Sequence, residues 1–344
     1  MRKAMQRHQS SRQRYLVTGG AGFIGSHLST ALIERGHQVV GLDNLSTGSA
    51  TNVAGLSSND SYRLVLGSVL DAQLLDELVE QCDTVIHLAA AVGVTLVVEQ
   101  PLRSLVTNIR GTEHVIEAAH RYRRRVFIAS SSEVYGKNPD VPLHEKADSV
   151  VGTPTRSRWG YALSKAVDEC LAMAYSREKG MPTVIGRFFN TVGPGQSPAY
   201  GMVIPRMIKQ ALAGDAVTVF GDGAQTRCFC HVSDVVRAVV GLLDHPDAVG
   251  EVFNIGSTEE VTINELAERV IATTGSSSSV VRIPYEEAYA PGFEDMLRRV
   301  PDTQKIRSLI GWSPTHDLDS ILRTVVEHSA AHPPAAAGLP TASG

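Results

Sequence analysis

Residues 17–28 have the sequence VTGGAGFIGSHL, a glycine-rich turn between an apolar, strand-like run and a helix-length segment. Gly20, Gly22 and Gly25 fit the spacing G-x-G-x-x-G. Glycines at these places allow a tight turn, let a pyrophosphate approach backbone N–H groups, and let the helix pack closely on the strand. The same pattern also occurs in turns that bind no ligand, so its context decides what it means.

Strand-length apolar runs alternate with helix-length amphipathic stretches on both sides of this turn. The runs are YLVTG, HQVVGLD, RLVLGS, TVIHLAA, RVFIASS and PTVIGRFFN. This alternation predicts an α/β fold of the Rossmann type, a doubly wound parallel sheet with helices on both faces. After about residue 190, turn-rich segments flank the helices and EVFNIGS forms one more strand. We therefore expect a smaller, interleaved C-terminal substrate-binding lobe.

The domain boundaries follow from this change of rhythm. We predict a dinucleotide-binding domain over 13–190 plus 231–256 and the smaller lobe over 191–230 plus 257–328. Residues 1–12 are basic and lack the apolar core of a secretory signal, which predicts a disordered arm. Residues 329–344 are rich in Ala, Pro and Gly, which predicts a disordered tail.

Composition excludes several classes of function. The 344 residues carry a net charge of −4 and no basic run interleaved with aromatic residues, so nucleic acid is not an expected partner. No apolar run is long enough to span a bilayer, so we expect a cytoplasmic protein without a membrane partner. Cys82, Cys170, Cys228 and Cys230 match neither a zinc-ligand spacing nor a disulfide framework. They are expected to be buried or partly buried thiols, and no metal site is predicted.

Asp43 supports a nicotinamide cofactor. It ends the second predicted strand, about 20 residues beyond the glycines, where a carboxylate accepts hydrogen bonds from both ribose hydroxyls of NAD and repels a 2′-phosphate. No Arg comes next in the segment DNLSTG, which favours NAD over NADP. A turn residue at the head of a loop is the alternative interpretation.

Tyr161 and Lys165 lie four residues apart in YALSKAVDECLAMAY, which is typical of a helix, so their side chains share one face. A neighbouring ammonium favours the phenolate and brings the pKa of a tyrosine toward neutral pH. The pair can therefore exchange a proton with a substrate hydroxyl. An exposed Tyr and Lys on a helix surface is the alternative. SSSEVYG, over residues 130–136, adds hydroxyls and a carboxylate.

Together, GGAGFIG, Asp43, SSSEVYG, Y-x-x-x-K and FNTVGPG resemble the extended short-chain dehydrogenase/reductase family, specifically its nucleotide-sugar epimerases, decarboxylases and dehydratases. The resemblance runs from about Tyr15 to Trp312. It implies that Tyr161 is the catalytic base, that Lys165 also holds the nicotinamide ribose, and that Ser131 bridges to the sugar hydroxyl. Glu133 is the fourth predicted catalytic residue. A homodimer, formed through the helices that carry Tyr161 and Asn108, is also implied.

The resemblance assigns further residues to cofactor and substrate. The predicted NAD-binding residues are Gly19, Gly22, Phe23, Ile24, Gly25, Asp43, Asn44, Ser68, Val69, Leu88, Ala89, Ala90, Asn108, Tyr161 and Lys165. The predicted substrate-binding residues are Ser131, Ser132, Asn190, Phe220, Arg227 and Arg299.

These assignments carry particular roles and alternatives. Asn108 is expected to order the active-site helix, Asn190 and Arg227 to contact the sugar diphosphate, and Phe220 to lie in the strand beside the uracil. A backbone-capping amide is the alternative for each Asn, and a surface ion pair is the alternative for Arg227.

The fate of the 4-keto sugar decides the reaction. Ser132-Glu133 lacks the acidic Asp of the dehydratases, which disfavours dehydration. Glu133, with Arg299 shortly before Pro301-Asp302, resembles UDP-glucuronate decarboxylases, and Arg298 is an alternative for that arginine. The segments GYALSK and GPGQSPAYGMVIPR look more like bacterial 4-epimerases, including the UDP-glucuronate 4-epimerase of moenomycin-type pathways.

We therefore expect an NAD-dependent UDP-sugar 4-epimerase that interconverts UDP-glucuronic and UDP-galacturonic acid, or UDP-glucose and UDP-galactose, through a 4-keto intermediate. A UDP-glucuronate decarboxylase is the alternative. A catalytically silent NAD-binding sensor is a more remote alternative, which the presence of Tyr161, Lys165 and Ser131 disfavours.

Overall fold

The computed structural model describes residues 12–199, 201–288 and 296–332, without the side chains of residues 94–96. Nearly all of the predicted arm lies outside the described residues, and so do residues 333–344 of the predicted tail. The last described helix continues to Ala331, so the first residues of that predicted tail are helical.

The strands are, in chain order, β1 Arg14–Thr18, β2 Gln38–Asp43, β3 Tyr62–Leu66, β4 Thr84–His87, β5 Arg125–Ser131, β6 Thr183–Phe188, β7 Thr191–Val192, β8 Val217–Phe220, β9 Thr226–Cys228, β10 Cys230–His231, β11 Glu251–Ile255, β12 Glu260–Thr262 and β13 Val280–Ile283. The α-helices are α1 Phe23–Glu34, α2 Ala72–Glu80, α3 Val94–Glu99, α4 Pro101–Arg121, α5 Arg158–Lys179, α6 Val203–Ala213, α7 Val232–Asp244, α8 Ile263–Thr274, α9 Tyr285–Ala288, α10 Gln304–Ile310 and α11 Leu318–Ala331.

Seven strands form one parallel sheet in the order β11-β6-β5-β4-β1-β2-β3. The predicted Rossmann-type α/β fold is confirmed. Strand β11 pairs with β6 although about 60 residues separate them in the chain, which is the interleaving expected from the sequence. The exact domain boundaries stay a prediction.

Successive side chains of the strands enter two separate cores, one on each face of the sheet. Leu16 packs in the core under α2, α4 and α5, whereas Val17 packs in the core under α1 and α7. Phe127 and Ile128 divide in the same way between the two faces. Apolar residues on both faces explain why these strands are continuous hydrophobic runs in the sequence.

The smaller lobe has its own core, built from α6, α8, α11 and the paired strands β8 and β13. Met207, Val219, Leu266 and Leu322 are fully buried there. This separate core lets the lobe form a wall opposite the sheet.

The strand order reverses between β1 and β4, and ligands of open α/β sheets bind outside the carboxyl ends of the strands at such a point. Gly19, Asp43, Leu88 and Ser131 lie at or just beyond the ends of β1, β2, β4 and β5. The fold therefore brings distant parts of the sequence to one edge.

Two expected absences concern the described residues only. None of their helices is both long and apolar enough to cross a membrane. None of their His, Cys, Asp and Glu side chains gather into a group that could hold a metal ion. Cys82, Cys228 and Cys230 are buried, but Cys170 is exposed on α5, which corrects the expectation of buried or partly buried thiols.

A substitution at Gly20 tests the close packing of the glycine turn on β2. A Cβ at Gly20 would lie 2.5 Å from the Cα of Gly41 on β2, so Gly20→Ala should lower the free energy of unfolding by roughly 1–3 kcal/mol. Gly55→Ala is the control, because a Cβ there meets no atom within 4 Å. Chemical denaturation of both variants measures the difference, and equal stability would contradict the packing argument.

Candidate active site

A cavity of about 620 Å³ lies between the carboxyl edge of the sheet and the smaller lobe. Every residue predicted to be catalytic or to bind cofactor or substrate lines it, except Asn108. Ser131 lies at the end of β5, so SSSEVYG is a strand end on the cavity and not a surface loop. The Ser131 hydroxyl accepts a hydrogen bond from the Glu133 N–H at 3.2 Å, which caps the short 3₁₀ helix Ser132–Tyr135.

The glycine turn forms one end of the cavity. Gly19 has a positive φ of 72°, and a Cβ on it would lie 3.0 Å from the Ala89 nitrogen. A Cβ on Gly25 would lie 2.1 Å from the Gly19 carbonyl oxygen. No side chain caps the first turn of α1 at Gly22. Only hydrogens fit this cradle, which leaves the helix N-terminus open to a pyrophosphate.

Gly20 serves the packing of the turn. It does not line the cavity and packs against Gly41 instead. The cavity-lining glycines of the turn are Gly19, Gly22 and Gly25.

Asp43 lies on the cavity wall with its carboxylate oriented by two backbone donors. Its Oδ2 accepts a hydrogen bond from the Ala21 N–H at 3.0 Å, and its Oδ1 accepts one from the Leu45 N–H at 2.8 Å. Each oxygen keeps a lone pair for a further donor. The glycine cradle and this acceptor together fit the pyrophosphate and the diol of NAD.

Asn108, predicted to contact the cofactor, lies behind the cavity wall and is fully buried. Its Oδ1 accepts a hydrogen bond from the Ala91 N–H at 2.8 Å, and its Nδ2 donates to the Ser164 hydroxyl at 3.2 Å. The side chain links α4 to α5 directly beside Lys165. This arrangement agrees with its other predicted role, the ordering of the active-site helix.

Tyr161 and Lys165 face the cavity from α5, which ends at Gly180 in a left-handed conformation. Burial raises the pKa of Tyr161, the Lys165 ammonium lowers it, and the charge of Glu133 raises it again, so that the net shift is upward. This differs from the downward shift expected from Lys165, because burial and the nearby carboxylates outweigh the single lysine.

Glu133 is bound between two arginines on the same wall. Its Oε2 accepts a hydrogen bond from Arg158 at 2.6 Å, and its Oε1 accepts one from Arg299 at 2.5 Å. All three side chains are at most 14% exposed. Burial by itself would raise the pKa of Glu133, but the charges and hydrogen bonds of the two guanidinium groups lower it to about 2. Glu133 is therefore ionised at neutral pH.

Asn190 holds Arg299 in this position. Its Oδ1 accepts a hydrogen bond from Arg299 at 3.1 Å, and its Nδ2 donates to the Cys228 carbonyl at 2.8 Å. Arg298 points away and forms an exposed ion pair with Glu260 at 2.7 Å. Of the two candidate arginines, Arg299 is the one that faces the cavity.

The smaller lobe supplies the other end of the cavity. The guanidinium of Arg206 lies 4.3 Å from the ring centroid of Phe220. Gln225 donates a hydrogen bond to the Tyr285 hydroxyl at 2.9 Å. Arg227 is only 8% exposed and donates to the carbonyls of Thr226 and Met296. An aromatic ring and two arginines suit a base and phosphates.

Sequence reasoning missed Arg158 and Asp168. Arg158 lies three residues before Tyr161, and Asp168 lies three residues after Lys165. Helical spacing puts such neighbours on one face, so the periodicity that linked Tyr161 to Lys165 was also the signal for both.

The model of the NAD dependent epimerase/dehydratase family matches residues 15–256. The chain belongs to this family. Its cofactor is accordingly NAD, as the glycine cradle and Asp43 indicated.

Curated relatives match nearly the full length of the chain. A UDP-N-acetyl-alpha-D-glucosaminuronate decarboxylase of Bacillus cytotoxicus is 40% identical over 92% of this chain and 97% of the relative. UDP-glucuronic acid decarboxylase 1 of Danio rerio is 33% identical over 93% of this chain and 73% of the relative.

The solved UDP-glucuronic acid 4-epimerase of Bacillus cereus, in complex with UDP-glucuronic acid and NAD, has a TM-score of 0.83. It is 29% identical over 92% of this chain and 99% of that structure.

The prediction of a 4-epimerase is wrong, because the curated relatives that match most of the chain are named as decarboxylases. It gave weight to GYALSK and to the GPGQSPAYGMVIPR loop. The shared scaffold that folds around NAD and a nucleotide sugar does not by itself specify the reaction.

The variant Asp43→Asn tests the end of the cavity that is predicted to bind NAD. The amide keeps one acceptor oxygen but loses the charge, so NAD should bind roughly tenfold or more weakly. Calorimetric titration with NAD measures the affinity, and Asp60→Asn at an exposed position is the control. Unchanged affinity in Asp43→Asn would remove Asp43 from the NAD site.

Proposed function

We propose that the protein is an NAD-dependent decarboxylase of a UDP-linked uronic acid, UDP-glucuronate or its 2-acetamido analogue UDP-N-acetylglucosaminuronate. The observation that carries the proposal is the binding of Glu133 between Arg158 and Arg299, on the same wall as Tyr161. The names of the two curated relatives support the same class of substrate.

Charge explains why this cluster suits a uronic acid. Two guanidinium groups lie on this wall with the ionised carboxylate of Glu133 between them, and all three side chains are largely buried. A C6 carboxylate would find charged hydrogen-bond donors there, which a neutral hydroxymethyl group would not need. The planar fork of an arginine also matches the two oxygens of a carboxylate.

The cavity residues near the sugar would have separate roles in the first step, the oxidation at C4. Tyr161 takes the proton of the C4 hydroxyl once it has lost its own, a loss that the Lys165 charge favours against burial, and Ser131, which lines the same cavity, would orient that hydroxyl. NAD, when bound, accepts the hydride from C4 and later returns it. The resulting ketone at C4 makes the C6 carboxylate part of a β-keto acid.

Decarboxylation proceeds from that ketone. The C5–C6 bond breaks, carbon dioxide leaves, and the electron pair stays on C5 and the C4 oxygen as an enolate. The Tyr161 O–H donates to this oxygen and stabilises its charge. C5 then takes a proton from water, and Tyr161 returns its proton to the C4 oxygen as the ketone is reduced. The overall reaction consumes one proton and releases carbon dioxide.

The cluster also favours release of the product. Loss of carbon dioxide removes the group that the arginines bind. A neutral pentose keeps no charged contact with this wall, so the product binds more weakly there than the substrate.

Product analysis tests the proposal. The purified protein with NAD is incubated with each uronic acid, and the products are analysed by mass spectrometry and proton NMR. We expect loss of carbon dioxide from one or both, and the better substrate identifies the group at C2. An isomer of unchanged mass, or no reaction with either, would refute decarboxylation.

Arg299→Gln tests the carboxylate contact. We expect the KM for the uronic acid to rise roughly tenfold or more, because a buried charged hydrogen bond is lost. Arg298→Gln is the matched control, since the neighbouring Arg298 faces solvent and should change KM by less than about twofold. Similar KM values for the two variants would contradict the assignment. NAD binding confirms that each variant is folded.

Tyr161→Phe tests the base. The variant keeps the ring that lines the cavity but cannot take or return a proton, so turnover should fall below detection while NAD affinity changes little. Steady-state kinetics and calorimetry measure the two quantities. Retained turnover would refute the role of Tyr161.

A further inference from the structure

Lys165 forms a buried ion pair that the proposed mechanism does not use. Its Nζ lies 3.1 Å from Oδ2 of Asp168, one turn further along α5. The side chains are 3% and 1% exposed. Within the described part of the chain, this is the hydrogen bond that the ammonium donates. Asp168 therefore lies directly behind the lysine and on the side away from solvent.

A buried lysine needs a counter-charge. Desolvation favours the neutral amine, and a neutral amine could neither lower the pKa of Tyr161 nor offer a charged donor to a ribose. An ammonium has three N–H donors, so one can bind Asp168 while two remain for the cavity. The ion pair therefore supplies charge and direction together.

A row of buried polar side chains lies behind Asp168. Burial raises the pKa of Asp168 overall, against the charge and hydrogen bond of Lys165 and the hydroxyl of Thr112 on α4, which lower it. The same hydroxyl lies 3.0 Å from Nε2 of His87, whose Nδ1 lies 2.8 Å from the Thr18 hydroxyl. Thr18 ends β1, directly before the glycine turn. Oδ2 of Asp168 accepts the hydrogen bond from Lys165, whereas its Oδ1 has no hydrogen-bond partner among the described residues.

His87 does not compete with Lys165 as a cation. Burial first, and the charge of Lys165 second, lower the pKa of His87 to about 3. The imidazole is neutral throughout the physiological range and serves as a hydrogen-bonding spacer. The positive charge behind the cavity wall therefore belongs to the lysine.

We propose that Asp168 is a positioning residue that keeps Lys165 an ammonium and directs its remaining donors into the cavity. This inference rests on the proposed roles of Tyr161 and Lys165, and it extends them by naming the group that makes a charged lysine possible in a buried site. It assigns Asp168 no contact with substrate or cofactor.

The other groups around Lys165 do not replace Asp168. Burial lowers the pKa of Lys165, and the largest opposing effect is the Asp168 charge, followed by Tyr161 and Glu169, so that the net shift is upward. Tyr161 carries no charge until it loses its proton. Glu169 already binds Arg187 at 2.6 Å. His87, on β4, is neutral.

Competitive acetylation of the cofactor-free protein tests the inference without substrate. Acetic anhydride reacts with neutral amines, so the yield of acetyl-Lys165 against pH, read by peptide mass spectrometry, gives the titration midpoint. In the wild type this midpoint should lie above that of the exposed Lys179 on the same helix. A midpoint below that of Lys179 would overturn the inference with no variant needed.

Asp168→Asn keeps the size of the side chain and removes its charge. We expect the Lys165 midpoint to fall by roughly one pH unit or more, and the alkaline limb of turnover against pH to fall with it. Asp168→Glu should restore part of the shift. Glu178→Gln, an exposed change on the same helix, should leave the midpoint unchanged. A midpoint in Asp168→Asn equal to the wild type would overturn the inference even if turnover decreased.

The two proposals fail separately. Decarboxylation could be refuted by the products while Lys165 still titrates as expected, because acetylation involves no sugar. Conversely, carbon dioxide release with an unshifted midpoint in Asp168→Asn would leave the reaction intact and reject the role of Asp168.

Discussion

Close backbone packing at the end of β1 is the constraint on which the site depends. Gly20 allows the turn to lie against Gly41, and Gly19 and Gly25 leave room that any side chain would fill. This packing sets where α1 begins, and the reversal of strand order beside it opens the crevice. The ends of β2, β4 and β5 then meet at one edge, although they are far apart in the sequence. Without that approach of backbones, neither Asp43 nor Ser131 would line the same cavity.

Buried charge is the second organising feature, and it is balanced by partners in both clusters of the cavity wall. Glu133 lies between two arginines, and Lys165 lies against Asp168. Such pairs contribute little net stability, because the cost of desolvation offsets the attraction, but removing one partner leaves an isolated buried charge. Both clusters reach the cavity, where their charges have a use in the proposed reaction. One offers two guanidinium groups to a carboxylate, and the other holds a cation on the helix that carries Tyr161.

Because enzymes with different reactions share this scaffold, structural similarity alone does not tell which reaction a chain catalyses. A solved 4-epimerase superposes on this chain with a TM-score of 0.83, while the curated relatives from Bacillus cytotoxicus and Danio rerio are named decarboxylases. In the proposed reaction, the glycine turn, Tyr161 and Lys165 serve the oxidation at C4. The carboxylate at C6 would be bound by Arg158 and Arg299, the two partners of Glu133. Arg299 reaches Glu133 from a segment that lies outside the seven-stranded sheet.

The sequence by itself determined the sheet, the cofactor cradle and the pairing of Tyr161 with Lys165, because each depends on local spacing: strand alternation, glycine positions and helical periodicity. Arg158 and Asp168 were within reach of the same periodicity. Only the tertiary structure decided that Arg299, and not Arg298, binds Glu133. Glu133 and Arg299 are 166 positions apart, and the side chains of the neighbouring Arg298 and Arg299 face opposite ways. Likewise, Asn108 points behind the cavity because α4 packs on α5. Contacts of this kind depend on how separate elements pack, and no local pattern encodes them.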